Sequence, residues 1–316
     1  MRIAILGATS QIAKDLILSF STQSNHQLML FARRPDVVAE WLGLNGLSGQ
    51  MDVAGFEAFS TGLHFDAILN FVGVGNPAQA AAMGASIFDV TLKYDDMALD
   101  YVRVHPACRY IFLSSGAAYG ASFDKPVDRA SRAVVAINDL QPQDWYAVAK
   151  LHAECRHRSL PELPVVDLRV FNYFSRTQDV SARFLISDIV RAIRDKAVLQ
   201  TSADYIVRDF LHPDDFYALV QAMLCSPAVN VAVDCYSLAP VDKPTLLAAM
   251  QQEFGLSFEI AEAGSGLNAT GSKPCYYSKN TRAADFGYVP ALTSLEGVLR
   301  EARALLCKDA SGGLAR

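Results

Sequence analysis

Five short stretches, Arg2–Leu6, Gln27–Ala32, 67–71, 110–114 and Val165–Val170, are apolar at consecutive positions rather than at every second one. A strand with one wet face alternates apolar and polar residues, whereas a strand covered on both faces has no need to. Continuous runs of this kind therefore predict parallel strands buried between two layers. Longer helix-compatible stretches lie between them, at 12–21, 87–104 and 145–157. Strand, helix and strand in repetition predict an α/β fold, a doubly wound parallel sheet with right-handed crossovers. No internal repeat interrupts the pattern.

Beyond residue 174 the alternation loosens. A helix is predicted at 182–195, and another opens at His212-Pro213-Asp214-Asp215, where His212 caps it. The Gly-, Ser-, Asn- and Thr-bearing stretch 264–271 reads as a loop. A last helix is expected over 293–306, with Thr293 or Ser294 as N-cap and Glu296 in its first turn, and 309–316 should fray. The expected organisation is a first domain over 1–171, rejoined by 206–235, and a smaller C-terminal α/β domain over 172–316 that lies across the end of the sheet.

Composition fits this picture and narrows it. Of 316 residues 51% are hydrophobic and 19% charged, so a chain of this length has ample core without staples and is not disordered. With 28 Lys and Arg against 33 Asp and Glu, no basic field invites nucleic acid. An anion would have to be held by a few placed cations. Met1–Gly7 is too short an apolar run for a signal peptide, and no segment reaches the roughly 18 apolar residues of a membrane span. The six cysteines are scattered without a CxxC pair, which predicts reduced, mostly buried thiols, no metal centre and a cytoplasmic protein.

Candidate chemistry begins at the turn after the first strand, Gly7-Ala8-Thr9-Ser10-Gln11-Ile12-Ala13. Such a turn lets backbone N–H groups and a helix N-terminus meet a pyrophosphate. Here Ser10 and Ala13 stand where further glycines would serve, so Gly7, Thr9, Ser10, Gln11 and Ile12 are the candidate phosphate contacts. At the end of the second strand, where NAD enzymes place a carboxylate for the ribose, the chain has Arg33-Arg34. A guanidinium suits a 2′-phosphate, so NADP(H) is favoured and NAD(H) stays open. Asp52 and Val53 are candidate partners of the adenine.

Tyr146 and Lys150 stand four apart on a predicted helix, hence on one face. An ammonium beside a phenol favours phenolate and lowers its pKa, which suits Tyr146 to general acid–base work. Ser114 and Ser115 close the fourth apolar run, at the end of a parallel strand where such sheets bind ligands.

Taken with Tyr119-Gly120, Arg208-Asp209-Phe210-Leu211, Leu168-Arg169-Val170-Phe171-Asn172 and Ser278-Lys279-x-x-Arg282, these blocks cover nearly the whole chain. In them the chain resembles an extended short-chain dehydrogenase/reductase of the NAD(P)-dependent nucleotide-sugar epimerase/dehydratase family. The resemblance implies a Rossmann fold, with Ser115 as catalytic serine, Tyr146 as acid and base, and Lys150 as ribose-binding partner. It further implies Val72 beside the cofactor, and Asn172 and Arg208 on a nucleotide-sugar substrate, with Arg208 at the diphosphate. Relatives that dehydrate sugars carry acids where this chain has Gly116 and Ala117, so dehydration is not expected. Hydride chemistry at a sugar carbon remains. The first expectation is a 4-keto sugar reductase drawing on NADPH. The alternatives are a 4-epimerase that retains NAD and, outside catalysis, an NADP-sensing regulator. A homodimer through helices of the first domain is also implied by the resemblance.

Overall fold

The computed structural model describes residues 1–74, 80, 82–120, 123–182, 184–261 and 273–312. The first half builds β1 (Arg2–Leu6), α1 (Gln11–Gln23), β2 (Gln27–Ala32), α2 (Pro35–Leu44), β3 (Asp52–Gly55), β4 (Ala67–Asn70), α3 (Ser86–Val104), β5 (Arg109–Ser115), α4 (Trp145–Arg158) and β6 (Val165–Val170). The second half adds β7 (Asn172–Tyr173), α5 (Leu185–Arg194), β8 (Val198–Ser202), β9 (Val207–Arg208), β10 (Phe210–Leu211), α6 (Pro213–Cys225) and β11 (Val231–Asp234). It closes with β12 (Val241–Asp242), α7 (Lys243–Phe254), β13 (Ser257–Ala261), β14 (Cys275–Tyr276) and α8 (Ser294–Gly312).

Seven parallel strands form one sheet in the order β11-β6-β5-β4-β1-β2-β3. The chain moves outward from β1 through β2 to β3, then returns to β4 on the other side of β1. The carboxyl ends of β1 and β4 therefore flank the topological switch point, where open α/β sheets bind ligands. Ile3, Ile5, Leu16, Phe20, Leu219 and Val220 pack on one face, and Ala4, Leu6, Leu99, Val102, Phe112 and Ala153 on the other. A separate core of Ile186, Ile189, Leu246, Met250, Val298 and Ala302 joins α5, α7 and α8.

All five strands expected from the apolar runs form, within a residue of the expected bounds. The short edge strand β3 and helices α2 and α7 lie outside the predicted elements. β3 is only Asp-Val-Ala-Gly, too short for a hydrophobic period. The His212 ring caps α6 by accepting from the Asp214 N–H at 3.0 Å. Thr293 and Glu296 exchange capping hydrogen bonds at the start of α8. The expected fraying at 309–316 is corrected in part: α8 continues to Gly312, and 313–316 lie outside the described residues. So does the predicted loop 264–271. The thiols also depart from expectation, since only Cys108 and Cys235 are buried while Cys155, Cys225 and Cys307 are exposed. Among the described residues no helix is long and apolar enough to cross a membrane.

Candidate active site

The β1–α1 turn explains its single glycine. Gly7 has φ +84°, a left-handed conformation that disfavours a side chain, and a Cβ there would stand 2.8 Å from the Val72 nitrogen. The turn is thus pressed against the chain leaving β4, at the switch point. Ser10 opens α1 without spending its hydroxyl on the cap, and no acidic side chain stands in the first turn. The helix end keeps its unpaired N–H groups and its favourable dipole toward an anion. Gln11 reaches across to Ser175 at 2.9 Å. Thr9 is exposed, and Ile12 packs half-buried against the core. The Val72 N–H is turned inward to the Asn70 side chain at 2.9 Å. These residues fit the pyrophosphate half of a dinucleotide.

Arg33 is exposed just past the carboxyl end of β2, beside Arg34. Asp52 and Val53 open β3, the edge strand next to β2. The β2–β3 register pairs Asp52 with Met29 and Val53 with Leu30, three and two residues below Ala32. Asp52 is exposed there and Val53 half-buried.

Ser115, Tyr146 and Lys150 do converge. Ser115 ends β5 and Tyr146 opens α4. Burial pushes the Tyr146 phenol above its ordinary value, while the neighbouring Ser115 hydroxyl pulls it back down. Lys150 is buried, lies 5.9 Å from the Tyr146 ring centre and 4.4 Å from that of Phe112, and donates to the Leu113 carbonyl at 2.7 Å. Burial drops its pKa to about 8, against the opposing pull of Asp95, Asp167 and Glu154. The expected lowering of the phenol by the ammonium is therefore corrected. The cation is turned to a carbonyl and a phenyl face, and desolvation governs the phenol.

A second phenol, unexpected from the sequence, belongs to this cluster. Tyr276 brings its hydroxyl to 3.4 Å from Ser115 Oγ, and its ring packs on Phe123 and Phe171 with centroids 4.7 Å and 5.3 Å away. Its only sequence signal is its place two residues before the Ser278-Lys279 block. Beyond it stand two cations. Lys273 lies 4.9 Å and the Arg208 guanidinium 6.0 Å from the Tyr276 ring centre. Among the described residues Arg208 donates to the carbonyls of Val207, Lys273 and Pro274 rather than to a carboxylate. Burial lowers the pKa of both cations, and Arg208 lowers Lys273 further. Asn172 is used as a tie, donating to the carbonyls of Asp209 and Tyr276.

Packing keeps Gly116 bare. A Cβ there would come within 2.4 Å of the Phe171 ring, so the position accepts no acid without moving the wall behind Tyr276.

A nucleotide-binding turn at the switch point, with a serine, a tyrosine and a lysine at the end of β5, agrees with the sequence comparisons. The model of the NAD dependent epimerase/dehydratase family matches residues 3–239. The chain belongs to that family. No curated protein matches it in sequence. Among solved structures, this epimerase/dehydratase family member is similar to the UDP-glucose 4-epimerase of Stenotrophomonas maltophila with bound NAD and formylated UDP-arabinopyranose. The identity is 16%, 99% of each chain is covered and the TM-score is 0.80. UDP-glucose 4-epimerase of Thermotoga maritima with UDP-glucose has 14% identity, covers 98% of this chain and all of its own (100%), and has a TM-score of 0.77. The dTDP-glucose 4,6-dehydratase of Bacillus anthracis in complex with NAD has 14% identity, 98% of each chain covered and a TM-score of 0.76.

Proposed function

We propose that this family member is a nucleotide-sugar 4-epimerase, acting at C4 of a UDP-linked hexose with a nicotinamide dinucleotide that stays bound. The observation that carries the reading is the cluster of Ser115, Tyr146 and Lys150 beside Gly116 and Ala117, which keeps the proton-transfer groups and lacks the dehydrating acids. The UDP-sugar 4-epimerases among its structural relatives favour epimerisation over the reduction expected first.

Gly7, Thr9, Ser10, Gln11 and Ile12 would hold the pyrophosphate, Arg33 the adenosine ribose, and Lys150 the nicotinamide ribose. A dinucleotide held there would supply reversible hydride transfer at C4. Tyr146 takes the proton of the 4-hydroxyl and later gives one back to the same oxygen. Ser115 donates to that oxygen and keeps it in line with the phenol. Arg208 and Lys273 neutralise the diphosphate, and Asn172 lines the path of the sugar. Anchoring only the diphosphate leaves the keto sugar free to turn between the two transfers.

One observation favours a second reading. Arg33 and Arg34, exposed at the end of β2, suit NADP(H), and a reductase consumes NADPH where an epimerase spends none. Incubation with UDP-glucose or UDP-glucuronate, followed by sugar-nucleotide chromatography, separates the two. The expected result is the 4-epimer, with no net change in nicotinamide absorbance. Stoichiometric NADPH loss on a 4-keto sugar, with no epimer formed, would establish the reductase instead. Tyr146→Phe should lower kcat by about 10²- to 10⁴-fold while cofactor binding survives. A wild-type protein that binds the dinucleotide and turns over no sugar would support the regulator.

A further inference from the structure

On α4 the residues Tyr146, Lys150 and Glu154 follow at intervals of four and share one face. They meet the last three residues of β5. Lys150 Nζ donates to the Leu113 carbonyl at 2.7 Å, and Ser114 Oγ donates to Glu154 Oε1 at 2.5 Å. Ser115 stands against Tyr146. Side chains alternate along a strand, so Phe112 and Ser114 face α4, and Ser115 is delivered over the carboxyl edge. Phe112 indeed lies under Lys150 at 4.4 Å.

Glu154 is itself firmly held. Arg169 Nε donates to both its oxygens at 3.0 Å and Arg169 Nη2 to Oε2 at 2.5 Å. The far side of that guanidinium donates to the Tyr119 hydroxyl at 2.8 Å and meets Asp234 at 3.4 Å. Ser114 and Glu154 are both buried, at 3% and 4% exposure. A carboxylate already paired with an arginine has no need of a serine for its own satisfaction. The serine it takes is the one immediately before the catalytic position.

We propose that Glu154 is a positioning residue, which by accepting the Ser114 hydroxyl fixes how far β5 runs beneath α4. It thereby delivers Ser115 to Tyr146 and the Leu113 carbonyl to Lys150. A one-residue slip of the strand is about 3.3 Å, and a misplacement of about 1 Å can cost 10²-fold in rate. The inference rests on the assignment of Ser115, Tyr146 and Lys150 made above.

Glu154→Ala would leave Arg169 buried without its partner and endanger the fold, so the informative change is Ser114→Ala, which keeps the Glu154–Arg169 pair. With UDP-glucose as probe, Ser114→Ala should lower kcat at least about 10-fold at unchanged KM, and Ser114→Thr should restore it. A second arm needs no sugar. It follows NADH binding against pH, because Lys150, faced by Tyr146, Glu154, Asp95 and Asp167, has its pKa near 8. Loss of the carbonyl partner destabilises the ammonium, so the midpoint at which NADH affinity falls should move down by about half to one pH unit. Wild-type kcat and an unmoved midpoint, with only a lower melting temperature, would overturn the proposal and leave Glu154 a purely structural residue. A wild-type protein inactive on UDP-sugars would count against the epimerase reading alone. The NADH arm would then decide the role of Glu154.

Discussion

Gly116 shows at the scale of one residue how packing limits chemistry. Its neighbour Ser115 presents a hydroxyl to the proposed site, but the next position is held bare because a Cβ would come 2.4 Å from the Phe171 ring. Gly116→Asp should therefore destabilise the protein by about 1–3 kcal/mol, read as a lower midpoint in urea with unchanged slope, and should not create a dehydratase. An unchanged midpoint would mean that Phe171 yields freely. The absence of acids at 116 and 117 was legible in the sequence, whereas the packing that keeps 116 bare was not, since Phe171 lies far along the chain. Tyr276 was hidden for the same reason. It meets Ser115 across 161 residues, and no local spacing encodes such a contact. The place of Asp52 in the sheet was not legible either, because the register of a short edge strand is not encoded in its few residues.

Helix α4 is the element on which the site depends, and it carries a buried charge that periodicity alone does not reveal. His157 is fully buried between Asp167, 2.6 Å from its Nδ1, and Asp95, 2.7 Å from its Nε2. Burial alone would lower its pKa; the two carboxylates win and raise it to about 9. The imidazolium thus ties α4 to α3 through Asp95 and to β6 through Asp167. A folded-state pKa above the unfolded value of about 6.5 gives stability that is fully present below that value. The contribution, about 3 kcal/mol at most, is lost as pH rises through about 9. Urea unfolding of wild type and His157→Gln from about pH 6 to about pH 10 should show their stability difference shrinking across that window. A difference that stays flat would mean the ring is neutral in the fold. The strands were legible because both-face burial writes itself as unbroken apolar runs. This network was not, because its members sit on three elements and each looks like an ordinary surface charge in the sequence.

Across the whole molecule a net charge of -5 works against an anionic ligand, so binding must come from local cations. The doubly wound order places the β1–α1 turn at the switch point, while β9 and the segment before β14 bring Arg208 and Lys273 together beyond Tyr276. Two half-buried cations side by side, one of them donating to carbonyls, repel each other and lose hydration. A diphosphate relieves both costs at once. UDP alone, without a sugar, should consequently stabilise the fold, by about 2.7 kcal/mol at a concentration 100 times its Kd. Arg208→Gln should melt close to the wild-type temperature in the absence of UDP, since relief of the Lys273 repulsion offsets the lost carbonyl bonds, and should lose most of the UDP-induced rise. Thermal melts with UDP, uridine and pyrophosphate resolve the contributions. A rise with uridine that Arg208→Gln retains in full would move the nucleotide elsewhere. A rise with UDP that collapses in the variant places the diphosphate between Arg208 and Lys273, and this geometry sets the sugar on the Ser115–Tyr146 side of Tyr276.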